Sequence, residues 1–182
     1  MIETTPRIET ERLILRQWRE EDREPYADLL TDPDVGRWLG GPFDRAQAYE
    51  RVTRSAASLA ATGLGRMAIA RRANDQLIGY CGLVAITGRS PIPNGLEIGW
   101  TLAPHAWGSG YAVEAAQAVI ADGFQRHDAD EIIAFTGTAN LRSQNVARRL
   151  GMARRPEQDF DHPDLADDHP LKRHIVFVVS RP

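Results

Sequence analysis

Apolar and polar positions alternate along residues 12–18, 96–102 and 174–179, the period of a strand buried on one face. Residues 66–71 and 77–85 read as two further strands, joined by the short polar connection Ala73-Asn74-Asp75 of an antiparallel hairpin, and residues 131–136 form a compact apolar strand. Elsewhere the period lengthens to that of helices. Tyr26, Leu29 and Leu30 fall at helical spacing within the charged segment 20–30, and a long helix over 45–62 follows a capping Asp44 and stops near Gly63. A helix from about Tyr111 carries Val113, Ala116, Ile120 and Phe124 along one face; another begins near Asn140, carries Val146, Ala147 and Leu150, and stops at Gly151. Turn residues at 31–34, 40–42 and 87–94 mark loops, and residues 152–159 read as a long acidic loop. Strands and helices mix throughout, which predicts an α/β fold of the mixed α+β kind, with two strand-to-helix crossovers after the hairpin.

Composition narrows the class. The 182 residues are 42% hydrophobic, enough to bury a substantial core, and no Pro-, Gly- or Ser-rich linker divides them, so a single domain over 1–182 is expected. A formal charge of −3 and scattered arginines leave no basic footprint for nucleic acid and make a cationic substrate mildly easier to accept. The lone Cys81 excludes an internal disulfide, the N-terminus lacks an apolar signal region, and no apolar run approaches the roughly 20 residues of a membrane span. A soluble cytoplasmic protein with no membrane partner is expected. Cys81 itself lies within an interior strand, where a free cysteine is usually packing rather than a nucleophile.

The chemistry concentrates between Trp100 and Glu114. Pro104 removes a backbone donor that a continuing ladder needs, so the strand stops near Ala103. Gly108 and Gly110 then allow a tight turn that presents N–H groups, and the helix from Tyr111 adds four unpaired amides and a positive dipole end. A pyrophosphate fits that cradle. Gly-x-Gly before a helix is also common punctuation, so the longer context matters. No Gly-x-x-x-x-Gly-Lys-Ser/Thr loop occurs, and the fingerprint Gly-x-Gly-x-x-Gly is broken by Val113 at its third glycine, which sets aside nucleotide hydrolysis and NAD chemistry.

His105-Ala106-Trp107-Gly108-Ser109-Gly110 resembles the Arg/Gln-x-x-Gly-x-Gly/Ala coenzyme A signature of the GNAT N-acetyltransferase superfamily. The glutamate strand, Pro104, Trp107, Tyr111, Ala112 and Glu114, the opening 11–16 and the helix at 140–152 resemble its RimJ/RimL-type branch. The resemblance covers nearly the whole chain. It implies a central, mostly antiparallel twisted sheet of about seven strands with helices on both faces, in which 96–102 and 131–136 form a parallel pair that splays around the pantetheine arm. It further implies acetyl-CoA as co-substrate, held by Trp100, Thr101, Leu102, Ala103, His105, Trp107, Gly108, Ser109, Gly110, Tyr111, Ala112, Asn140 and Ser143. His105 stands where the signature has Arg or Gln, which leaves backbone capture of the pyrophosphate intact and changes the side chain offered there.

Acetyl transfer from a thioester to an amine needs the amine deprotonated, the carbonyl polarised and the departing thiolate protonated or stabilised. Glu97 is the candidate base; its alternative is a surface or salt-bridged glutamate. By resemblance the carbonyl receives a backbone N–H from residues 100–102. Many superfamily members protonate the thiolate with a tyrosine on the second crossover helix, a place held here by Ala147. Ser143 is the catalytic substitute that remains, while Asn140 either holds the pantetheine or caps its helix. The acidic segment 159–169 lacks the spacing of a zinc or calcium site, so no metal is expected, and Asp161 joins Trp38 and Phe43 as candidate contacts to an amine substrate. Two readings result. One is an acetyl-CoA-dependent N-acetyltransferase acting in a ternary complex on a protein N-terminus or a small-molecule amine; the other is a non-catalytic acyl-CoA sensor. The strand at 174–179 fits either the sheet or a homodimer interface.

Overall fold

The computed structural model describes residues 6–87 and 91–182; of the loop expected at 87–94, residues 88–90 lie outside the described residues. Alternation is realised as ladder. The strands are β1 (Ile8–Glu9), β2 (Leu13–Arg16), β3 (Gly65–Arg71), β4 (Leu77–Ile86), β5 (Gly95–Leu102), β6 (Glu131–Gly137), β7 (Ala153–Arg154), β8 (Phe160–Asp161) and β9 (Arg173–Ser180). They form one sheet in the order β1-β2-β3-β4-β5-β6-β9-β7, with β8 also paired to β9. Every pairing is antiparallel except β5 with β6. The sheet thus has nine described strands rather than about seven, three of them only two residues long.

The helices are α1 (Arg23–Thr31), α2 (Pro33–Gly36), α3 (Arg45–Thr62), α4 (Tyr111–Arg126) and α5 (Leu141–Arg149). Asp44 starts α3 through a capping box, its carboxylate accepting from the Gln47 amide at 2.8 Å, and Gly63 ends it at φ +69°. Asp32 caps the one-turn α2, which occupies part of the stretch expected as loop. The two faces of the sheet are read from β4. Tyr80 meets Tyr26 of α1 at 5.8 Å between ring centres, whereas Leu83, of opposite parity, meets α4 where a Cβ on Gly123 would lie 2.4 Å from its Cδ1. Helices therefore cover both faces.

Three expectations need correction. The buried stripe of α4 is Ala115, Ala116, Val119, Gly123 and Phe124, while Val113 and Ile120 are only half-buried. Small residues let the helix approach the sheet closely, and a pattern read from large apolar residues misses them. The stretch 152–159 is not simply loop: β7 and the adjoining β8 pair with β9, and Asp159 accepts from the Val176 amide at 2.9 Å and from the Arg154 guanidinium at 2.8 Å. The second crossover also ends differently, because β9 inserts between β6 and β7 and pairs antiparallel with β6 over seven positions. The terminal strand thus pairs inside the sheet.

Candidate active site

The strand at the centre of the sheet loses a neighbour halfway along. β5 stays paired with β4 as far as Leu102, but with β6 it pairs only at Leu96 with Ile132 and Glu97 with Ile133. Beyond Glu97 the two strands part. The Ala103 amide donates to the Ile78 carbonyl at 2.9 Å, so by the alternation of an antiparallel ladder the N–H and C=O of Trp100 and Leu102 point away from β4 and into the gap. The Trp107 indole N–H donates to the Leu102 carbonyl at 2.8 Å, tying the turn after Pro104 to the end of the strand.

That turn leads to the start of α4. Gly108 and Gly110 take φ of +74° and +80°, and nothing lies within 4 Å of where a Cβ on Gly108 would stand, so the turn has an open side. Asp44 and Asn140 cap α3 and α5, but the N-cap of α4 is Gly110, which has no side chain to offer. Its first amides are left for something else. Arg12 braces the turn from the other side, donating to the Ser109 carbonyl at 3.0 Å and to Glu114 at 2.7 Å, with its guanidinium 4.5 Å from the Tyr111 ring centre. Burial alone would raise the Glu114 carboxyl, yet hydrogen bonds from Thr10 and Arg12 hold it below its usual value. Arg142 lies 4.2 Å over the Trp107 ring. Open amides, a helix dipole and nearby guanidiniums suit the pyrophosphate of a coenzyme.

Where the strands part, Glu97 pairs with Arg66: Nη2 donates to Oε1 at 2.5 Å, and Nη1 donates to the Gly82 carbonyl at 2.6 Å. Gly99 makes room for this guanidinium, since a Cβ there would stand 2.6 Å from Arg66 Cζ. The Arg66 main chain is clamped in turn. Its carbonyl accepts from the Trp18 indole at 2.6 Å and the Ser55 hydroxyl at 2.8 Å, and its amide donates back to Ser55 at 3.1 Å. Burial opposes the charge on Arg66, but the Glu97 carboxylate prevails and raises it, so the guanidinium stays charged. Burial raises the phenols of Tyr26 and Tyr80, which remain protonated, and pushes the Cys81 thiol up to about 12, consistent with packing.

The parted strands, the turn and the start of α4 border one cavity of about 1160 Å³. That lies just above the range of roughly 300–1000 Å³ usual for a small-molecule pocket. Glu97, Trp100, Thr101, Leu102, Trp107, Gly108, Gly110, Tyr111, Ala112, Asn140, Ser143 and Trp38 line it. Ala103, His105 and Ser109 belong to the same turn but not to the wall, and Phe43 lies under Arg51 at 4.2 Å, likewise outside. Asp161 is exposed, accepts from Arg173 Nη1 at 3.3 Å, and lies away from the wall. Asn140 Oδ1 accepts from the Ser143 amide at 3.2 Å, so Asn140 does cap α5 while facing the cavity. Ala147 is buried beside them. Among the described residues no group of three or more His, Cys, Asp or Glu could hold a metal ion.

Residues 12–153 match the Acetyltransferase (GNAT) domain family. The chain belongs to the GNAT acetyltransferases. It is 29% identical over 148 residues to an uncharacterized N-acetyltransferase, YnaD, of Bacillus subtilis (strain 168), covering 81% of this chain and 82% of that protein. Among solved structures it resembles an acetyltransferase from Agrobacterium tumefaciens str. C58, with a TM-score of 0.79, 25% identity, and 100% and 98% of the two chains covered. It shares the fold of RimL, a ribosomal L7/L12 α-N-protein acetyltransferase solved with coenzyme A, at a TM-score of 0.77 and 16% identity over 96% of this chain and 98% of that one.

The GNAT fold uses acetyl-CoA, and the open turn at Gly108, the uncapped α4 and the gap between β5 and β6 fit it. Sequence reading missed several residues that shape this acetyltransferase's cavity: Arg66, Tyr26, Tyr80, Arg51 and Arg54. They come from α1, α3, β3 and β4, elements with no motif of their own. One signal was present. A glycine in mid-strand, Gly99, marks a close approach, and the group approaching is Arg66. No helix among the described residues is long and apolar enough to cross a membrane.

Proposed function

We propose that this acetyltransferase moves an acetyl group from acetyl-CoA to a primary amine by direct attack in a ternary complex, in the cytoplasm. The observation that carries the reading is the parting of β5 and β6 right after Glu97, which sets a carboxylate at the origin of the gap whose far end is the Gly108–Gly110 turn. An alkyl ammonium with a pKa near 10.4 leaves only about one molecule in two thousand neutral at pH 7, so a positioned base is needed. Glu97, fixed by Arg66, accepts the amine proton directly or through one water. The inward amides of Trp100 and Leu102 donate to the thioester carbonyl oxygen, where negative charge develops. Acetyl-CoA supplies the activated acetyl group. Ser143, its amide already engaged by Asn140, offers its hydroxyl proton to the departing sulfur. The cradle residues at 107–112 hold the pyrophosphate, and Trp38 faces the amine.

The acceptor is a small-molecule amine or a protein N-terminal amine, the latter supported by the RimL-like fold. The test is CoA-thiol release at saturating acetyl-CoA against peptides, amino acids, polyamines and aminoglycosides, with an amine-free blank. Amine-dependent release is expected. Tight binding of acetyl-CoA with no release for any amine would instead favour a sensor.

A further inference from the structure

Resting on that reading, we infer that the acceptor carries an anionic group, a carboxylate or a phosphate, as well as its amine, and that Arg51 and Arg54 of α3 receive it. Both side chains belong to the cavity wall. Most arginines of this protein near a carboxylate are visibly engaged: Arg16 with Asp22, Arg45 with Glu24 and Asp28, Arg154 with Asp159. Among the described residues the Arg51 and Arg54 guanidiniums have no acidic group within 4.0 Å and donate no hydrogen bond. Glu50 stands one turn before Arg54 without pairing to it, and Glu97, the one carboxylate in the wall among the described residues, is taken by Arg66. Arg51 and Arg54, both exposed on α3, thus offer this end of the cavity two guanidiniums without a carboxylate partner.

They are also positioned. Arg51 rests 4.2 Å over the Phe43 ring, and Ser55, the next turn of the same helix, bonds both main-chain groups of Arg66, so α3 is registered against β3, whose Arg66 side chain pairs with Glu97. A guanidinium fork matches the oxygens of a carboxylate or phosphate. The negative charge of the chain lies elsewhere. In the acidic segment Asp161 pairs with Arg173 and Asp167 with Lys172, and neither faces the cavity. The mild preference for a cationic substrate read from net charge is thus reversed locally.

The test uses primary amines matched but for the anion: γ-aminobutyrate against its amide for carboxylate, and phosphoethanolamine against ethanolamine for phosphate. Titration calorimetry on the whole protein reads binding directly, and KM is read for whichever amine is acetylated. At least one anionic member should bind about tenfold tighter than its neutral partner, the stronger arm naming the source of the anion. In R51Q/R54Q the preference should fall to about twofold or less, with R51K/R54K between, since lysine keeps the charge without the fork. A thermal midpoint near that of the wild type shows that α3 is intact. Equal binding of both partners, binding of neither anion, or a preference that survives in R51Q/R54Q overturns the inference. Anion binding that needs Arg51 and Arg54 but comes without acetylation of any amine would overturn the transferase reading and the acceptor assignment with it, leaving only an anion site.

Discussion

At the end of the cavity proposed for the coenzyme the wall is main chain: the unpaired edge of β5, the Gly108–Gly110 turn and the first amides of α4. At the end proposed for the acceptor it is side chain: Tyr26 from α1, Trp38 after α2, Arg51 and Arg54 from α3 and Arg66 from β3. Backbone groups are supplied by any sequence that makes the turn, so that end is fixed by conformation and takes a ligand common to the family. Side chains can be exchanged one at a time without changing the fold, so the acceptor end is where one acetyltransferase differs from another. Glu97 sits at the border, its backbone in the last β5–β6 pair and its carboxylate on Arg66.

The border gives the largest predicted effect. E97Q keeps the shape and removes the proposed base, and should lower kcat by about 100-fold, the ordinary scale of general-base catalysis, with both KM values within about twofold. A change confined to the acceptor KM would move Glu97 to the acceptor end. Next comes the turn. A β-branched residue is strained at φ +80°, so Gly110→Val should raise KM for acetyl-CoA by about tenfold, from a left-handed penalty of roughly 1–2 kcal/mol, without touching the acceptor KM. R12A removes the brace on Ser109 and Glu114, partly exposed contacts worth about 1 kcal/mol together, and should raise the acetyl-CoA KM by about threefold in steady-state assays.

The smallest effect is one of pH. Burial beside Phe135 and Phe160, helped by the neighbouring His162, holds His174 below the ordinary imidazole value of about 6.5. Below that value the unfolded chain binds the proton more readily than the folded one, so stability is complete above pH 6.5 and falls as the pH drops through the window between the two values. His162 and His174 line the same cavity from the β9 side of the sheet. Amide exchange on β9 near His174 should therefore quicken on acidification from pH 7 to 5 while the start of α4 changes less, and H174F should remove the difference. Equal acceleration at both ends would erase this distinction.

The same division governs what can be read without coordinates. Pro104, Gly108 and Gly110 are visible in sequence because a stop and a left-handed turn each demand a residue type, and the helix starts at Tyr111 as its spacing predicts. The splay after Glu97 has no such marker; it follows from how β5 and β6 diverge, and only the family resemblance suggested it. Arg51, Arg54 and Arg66 look like any surface arginines until α3 and β3 are set against β5. Asp161 shows the converse, since its composition suggested a substrate contact and its geometry gives it to Arg173. Residue type alone cannot say which partner a charge finds.

The most direct measurement is two-substrate steady-state kinetics on three proteins, the wild type, Gly110→Val and R51Q/R54Q, with an anionic amine as acceptor. Two ends built independently around one cavity predict crossed effects: Gly110→Val raises only the KM for acetyl-CoA, and R51Q/R54Q raises only the KM for the amine, each by about tenfold. Both variants raising both constants alike would contradict the division, and with it the placement of coenzyme and acceptor proposed here.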